Sequence, residues 1–245
     1  MTRDPNLPKS GERPIAGRSD TAPASTSADI AAFVAKARAM TPGRPGSGRL
    51  IFALDATMSR QPTWDMACRL QADMFREAGS IGGLDIRLVY FRGLGECRAS
   101  PWLSDSGRIA KLMSSITCQG GHTQIGRVLS DARREAVASG VRAIVFVGDA
   151  MEENVDALCA TAGELGLLKV PCFMFQEGHD PAAEAAFREI ARLTGGAWCR
   201  FDAGSAAQLR DLLRAAAAYA AGGREALTRL ARGAPRAAAL LEQLT

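Results

Sequence analysis

The sequence predicts an α/β fold: a doubly wound, mainly parallel six-stranded sheet with one antiparallel edge strand and helices on both faces. Three observations predict it. Short apolar runs alternate with helix-period segments along the chain, which is the signature of strand–helix–strand units. Runs such as Leu50–Leu54 and Ala143–Val147 are continuously apolar rather than alternating, as strands covered on both faces require. Gly93-Leu94-Gly95 lies between two β-rich segments close enough to form a hairpin, which makes the third strand antiparallel and places it at an edge.

Residues 1–27 are rich in Pro, Ser, Thr and Gly with mixed charge. They cannot bury enough apolar surface to offset ordering entropy, so a disordered tail is expected. Residues 28–48 read as a helix through Ile30, Phe33, Val34 and Ala37 to Met40, then a Pro/Gly linker. The α/β domain is expected over 49–221. Its first strand, Leu50–Leu54, ends in Asp55-Ala56-Thr57-Met58-Ser59. Pro62 fits the first turn of a helix whose period runs through Trp64, Leu70 and Phe75 to Gly79. Leu84 to Phe91 is the second strand, and Glu96 to Ala99 the third. Ser104 to Ile116 reads as a helix capped by Ser104 or Asp105.

Gly120-Gly121-His122-Thr123-Gln124-Ile125-Gly126 then leads into a helix that ends near Gly140. The fourth strand stops at Gly148-Asp149. Glu152 and Glu153 are expected to open the next helix, where their charge suits the dipole. Val170 to Phe175, with a start near Lys169, is the fifth strand and Ala197 to Phe201 the sixth, with a helix from Pro181 to Leu193 between them. Helices fill Ser205 to Ala221, and 222–245 is expected as a helical extension with Leu227, Leu230, Leu240, Leu241 and Leu244 as its apolar contacts.

Composition narrows the function classes. A formal charge of +4, spread along the chain, does not call for a nucleic-acid partner. The first 20 residues lack the apolar core of a signal peptide, and no stretch is long and apolar enough to cross a membrane. Six cysteines, at 68, 97, 118, 159, 172 and 199, form no Cys-x-x-Cys pair and no zinc spacing with histidine. They read as small buried hydrophobes in a reducing compartment, and the expected location is cytoplasmic.

Asp55, Thr57 and Ser59 alternate, so an extended backbone would point all three the same way. In an open α/β sheet ligands bind at the carboxyl ends of the strands, where this cluster falls. Hard oxygen donors there suit a hard cation, above all magnesium. An Asx or Ser/Thr turn capping a helix explains the same residues without a ligand. Thr123 and Asp149 are two further oxygen donors in the loop before a helix and at a strand end.

Asp-Ala-Thr-Met-Ser, the Gly-Gly-His-Thr-Gln-Ile-Gly loop and Val-Gly-Asp-Ala together resemble the von Willebrand factor type A (VWA) domain and its metal-ion-dependent adhesion site. The resemblance covers about 49–221 in element order and implies a Rossmann-like sheet. It implies that Thr57, Ser59 and Thr123 ligate Mg2+ (or Mn2+) directly, with Asp55 and Asp149 acting directly or through water. An open position would accept an Asp or Glu from a protein partner. The implied function is a metal-dependent adaptor or scaffold, not an enzyme. Intracellular members work beside ATPases or chaperones, so such an assembly is the implied context. Two positions depart from the family pattern. Met58-Ser59 replaces Gly-Ser, and Arg60 either pairs with Asp55 or attracts an acidic partner.

Other chemistries fit less well. Gly121-x-x-x-x-Gly126 lacks the Lys-Ser/Thr of a phosphate loop. Asp55-x-Thr57 lacks the second aspartate of a haloacid-dehalogenase-type phosphatase. Ser59, His122 and Asp149 are the residue types of a hydrolytic triad, but Ser59 is not in a Gly-x-Ser-x-Gly elbow. Two alternatives stay open: a hydrolase using Ser59 or metal-bound water with His122, and a degenerate domain that binds partners without metal.

Overall fold

The computed structural model describes residues 48–61, 64, 84–201, 210, 211, 213–221 and 229. The tail at 1–27, the helix and linker at 28–48 apart from Gly48, most of the helix after Pro62, Cys68, and the 222–245 extension apart from Arg229 lie outside the described residues.

Six strands form one sheet: β1 (Gly48–Asp55), β2 (Leu84–Arg92), β3 (Glu96–Ala99), β4 (Ala143–Gly148), β5 (Cys172–Glu177) and β6 (Ala197–Phe201). Their order is β3-β2-β1-β4-β5-β6. Every neighbouring pair is parallel except β2 with β3, which are antiparallel through the hairpin. β3 lies at the edge as its short hairpin connection predicts.

The helices α1 (Ser106–Ser114), α2 (Ile125–Ser139), α3 (Val155–Leu167) and α4 (Pro181–Leu193) cover the sheet, together with helical residues 213–221. Because strand side chains alternate, β1 feeds two cores. Leu50, Phe52 and Leu54 pack with Ile109 and Met113 of α1 and with Leu213 and Ala216. Ile51 and Ala53 pack with Val128, Leu158 and Phe187 of α2, α3 and α4. β1 and β4 are the middle strands, and every residue of β4 is buried. Each large aliphatic or aromatic side chain so covered contributes roughly 1.5–3 kcal/mol.

Helix starts follow their caps. Asp105, Asn154 and Asp180 each accept a backbone N–H three residues on, at the heads of α1, α3 and α4. Several boundaries shift by one or two residues, and two differ from the sequence reading for a local physical reason. Lys169, expected to begin β5, adopts a left-handed conformation (φ 58°) after α3, and β5 starts at Cys172. Glu152 and Glu153 do not open α3. Asn154 caps it, and the two glutamates turn back toward α2.

Among the cysteines, Cys118, Cys172 and Cys199 are buried and Cys97 and Cys159 half-buried; all five are free thiols. No helix among the described residues is long and apolar enough to cross a membrane.

Candidate metal centre

The chain leaves β1 toward β2 on one side, and β4 lies against β1 on the other. This is a topological switch point, where the strand ends diverge and leave a crevice. Asp55 is the last residue of β1, and Asp149 follows the last residue of β4. Gly148 is required between them: a Cβ there would stand 2.7 Å from the Phe146 ring and 3.3 Å from the Asp55 Cβ. The absence of a side chain lets the two aspartates share the edge.

The first three predicted donors are brought together directly. The Thr57 N–H donates to Asp55 Oδ1 at 2.7 Å, and the Thr57 and Ser59 hydroxyls are 3.1 Å apart. The route differs from the expected extended run. Backbone extension ends at Thr57, and Met58–Arg60 forms a 3₁₀ turn that carries Ser59 back toward Thr57. The next loop runs alongside, with Gln119 N–H donating to Ala56 O at 3.0 Å.

Thr123 is placed from another direction. Its hydroxyl accepts the Glu152 N–H at 3.0 Å, and its own N–H donates to Glu152 Oε2 at 3.2 Å. The threonine loop is thereby tied to the segment carrying Asp149. No hydrogen bond joins the Thr123 side chain to Asp55, Thr57 or Ser59. Glu153 accepts the N–H groups of Ile125 and Gly126, so the head of α2 is capped from the same segment. Gly121 lets this loop press on the hairpin, since a Cβ there would fall 1.9 Å from Gly93 O. Glu152 and Glu153 are the residues the sequence reading misassigned. Asn154, a better cap immediately after them, is the signal that α3 starts later.

Arg60 is 1% exposed and ion-paired with Glu177 at the end of β5. Neither sequence alternative holds: the guanidinium is engaged by Glu177 rather than by Asp55, and it is too buried to attract a partner. His122 is exposed, with Nδ1 2.9 Å from Glu152 Oε2.

The electrostatics are unbalanced. Burial pushes the Asp55 carboxyl up to about 6, against the hydrogen bonds from Thr57; Asp149 adds to the rise and Arg60 opposes it. Asp55 Oδ2 and Asp149 Oδ1 are both buried with no hydrogen-bond partner. Two orphaned carboxylate oxygens beside neutral hydroxyls are what a hard cation satisfies, and the donor set suits magnesium in kind. Among the described residues no group of three or more His, Cys, Asp or Glu side chains gathers to hold a metal. Any ion here therefore depends on hydroxyls as well as the two carboxylates.

Comparison with solved structures fits this architecture. An aerotolerance-related membrane protein from Bacteroides fragilis superposes with a TM-score of 0.54 at 19% identity, over 69% of this chain and 98% of that one. A von Willebrand factor type A protein from Catenulispora acidiphila gives 0.57 at 17%, over 71% and 43%. The VWA domain of SpRpn10 gives 0.54 at 13%, over 68% and 93%. The chain has the VWA fold. At these identities the likeness concerns the VWA fold alone. No family model and no curated protein matches the sequence.

Proposed function

We propose that this chain is a metal-dependent protein-interaction module. Asp55, Thr57, Ser59, Thr123 and Asp149 would hold Mg2+ or Mn2+, directly or through water. The observation that carries the reading is the pair of buried carboxylate oxygens, Asp55 Oδ2 and Asp149 Oδ1, that lack partners at the switch point. Two carboxylates and three neutral hydroxyls leave part of the coordination shell of a bound cation to water. An Asp or Glu from a partner then completes the shell, so metal and partner bind with positive coupling.

The chain's own residues do the positioning. Thr57 N–H fixes the Asp55 carboxylate, and Glu152 fixes the Thr123 hydroxyl. Glu177 neutralises Arg60 so that its charge does not sit opposite Asp55 alone. A non-enzymatic role is favoured because Ser59 hydrogen-bonds Thr57 while His122 bonds Glu152, so neither arms the other as nucleophile and base. A cytoplasmic adaptor or scaffold, in an assembly with an ATPase or chaperone, is the role we propose.

The test is calorimetric titration of magnesium and manganese into wild type and Asp149→Ala, with pull-downs in magnesium and in chelator. We expect wild type to bind either ion, Asp149→Ala to bind at least tenfold more weakly, and chelator to release the partner. Wild type that binds neither ion yet keeps its partner in chelator would favour the metal-free interaction domain.

A further inference from the structure

β3 is the outer strand of the sheet, and its backbone directions follow from the bonds around it. Phe91 O accepts the Ala56 N–H, so Phe91 faces the β1 side. Tyr90 and Arg92 therefore face β3, where their register partners are Arg98 and Glu96. Ser100 N–H donates to Leu88 O at 2.8 Å, in phase with this pattern. The backbone groups of Cys97 and Ala99 must then point away from β2, to the open side. Gly95, in phase with them, shows what that side can do: its carbonyl accepts from the Arg127 guanidinium at 2.6 Å.

A cavity of about 370 Å³ lies beside this edge, between β3 and α2, lined by Val89, Cys97 and Ala99 on the sheet and by Arg127, Ser130 and Arg134 on the helix. Its floor is uncharged: burial pushes the Cys97 thiol up, so it stays protonated at neutral pH. Its rim is basic. Arg98 and Arg134 are each 73% exposed, and Arg127 is exposed. Asp131, the carboxylate that lines the cavity, is already held by Arg87 and Arg134. Glu96 lies 3.7 Å from Arg98 but is bonded to Arg92 and Tyr90. The charge left for an incoming group is positive.

We propose that β3 accepts an extended acidic segment of a partner protein as a seventh strand, pairing with the backbone of Cys97 and Ala99 between Arg98 on one face of the sheet and Arg127 and Arg134 of α2 on the other. Backbone pairing supplies affinity in such additions, and side-chain pockets with charge supply selection. Side chains of the added strand alternate between the faces: those toward α2 enter the cavity past Arg127 and Arg134, those on the other face reach Arg98, and arginine meets carboxylate in either register. This surface uses none of the metal-centre residues and needs no cation, so its test can succeed or fail independently of that reading.

The probe is a fluorescein-labelled, N-acetylated peptide of alternating Glu and Val, titrated with the full chain in EDTA and followed by anisotropy. A Lys–Val peptide is the control. We expect the acidic peptide to bind at least tenfold more tightly than the control. Ala99→Pro removes an outward-facing N–H and leaves the ladder to β2 intact, and it should weaken binding at least tenfold. Arg98→Gln with Arg134→Gln should weaken it at least fivefold. Amide exchange read by NMR tests pairing in the wild type itself: the Cys97 and Ala99 amides should slow at least tenfold when peptide saturates, while that of Arg98, already paired with β2, changes little. Equal affinity for the two peptides overturns the proposal. Unchanged exchange at Cys97 and Ala99 in the saturated complex overturns it too, in favour of a simple anion site.

Discussion

Asp55 concentrates the conflict between folding and function in one carboxyl group. It is fully buried, one oxygen is satisfied by Thr57, and the other has no hydrogen-bond partner. The folded value of about 6 exceeds the ordinary 3.8, so the folded chain holds the proton more tightly than the unfolded one. For a raised carboxylate the sign is a penalty. It is absent below about pH 4, grows as pH rises through 4 to 6, and is complete above that, reaching about 3 kcal/mol. Metal-free wild type should therefore gain stability on acidification from pH 7 to pH 5 relative to Asp55→Asn, which cannot titrate. Urea unfolding of both proteins at the two pH values measures this, and parallel pH profiles would show that Asp55 is not strained. The same residue explains what sequence could reveal at this scale. The oxygen donors Asp55, Thr57 and Ser59 were legible as residue types in an alternating run. That Ser59 returns through a 3₁₀ turn, and that Arg60 goes to Glu177 across the sheet edge, were not. Both depend on partners more than a hundred residues away or on a turn with no distinctive composition.

The elements were easier to read than their ends. Buried strands announce themselves as apolar runs, and the hairpin glycines placed β3 correctly at the edge. Helix starts went wrong where a side chain serves a different helix from its own. α2 begins at Ile125 with Gln124 in the cap position and no side-chain cap of its own; Glu153 supplies the acceptors from the β4–α3 loop. Tertiary capping of this kind carries no local pattern, so a reading that assigns acidic residues to the nearest helix dipole misplaces them. It also makes Glu153 a clamp between two loops that carry proposed ligands. Glu153→Ala should cost about 1–2 kcal/mol, in the range of a lost cap with charge. It should weaken magnesium binding as well, because the Thr123 loop and the Asp149 segment lose a shared anchor. Urea denaturation gives the first effect and calorimetry the second. A variant of unchanged stability would mean that solvent caps α2 equally well.

At the scale of the whole molecule, the sheet order puts the orphaned carboxylates at the point where β1 and β4 diverge, held by a core buried on both faces. A rigid frame of this kind cannot relax to pair them, so it keeps the cost of holding two carboxylates together in the apo state. A cation that binds only the folded state recovers that cost and adds its own binding energy. At a hundredfold excess over its dissociation constant, the gain is about 2.7 kcal/mol. For a domain of this size each kcal/mol raises Tm by roughly 2–4 °C, so saturating magnesium should raise it by about 5–10 °C. Asp55→Ala and Asp149→Ala should behave in the opposite way on both counts. Each removes the repulsion, so the metal-free variants should melt no lower than metal-free wild type at pH 7.5. Each also removes a ligand, so their Tm should respond little to magnesium. Differential scanning calorimetry of the three proteins, with magnesium and with chelator, separates these effects. A wild-type Tm indifferent to magnesium, or an equal rise in Asp149→Ala, would detach the carboxylate pair from metal binding. The pair would then be a cost the fold carries for some other reason.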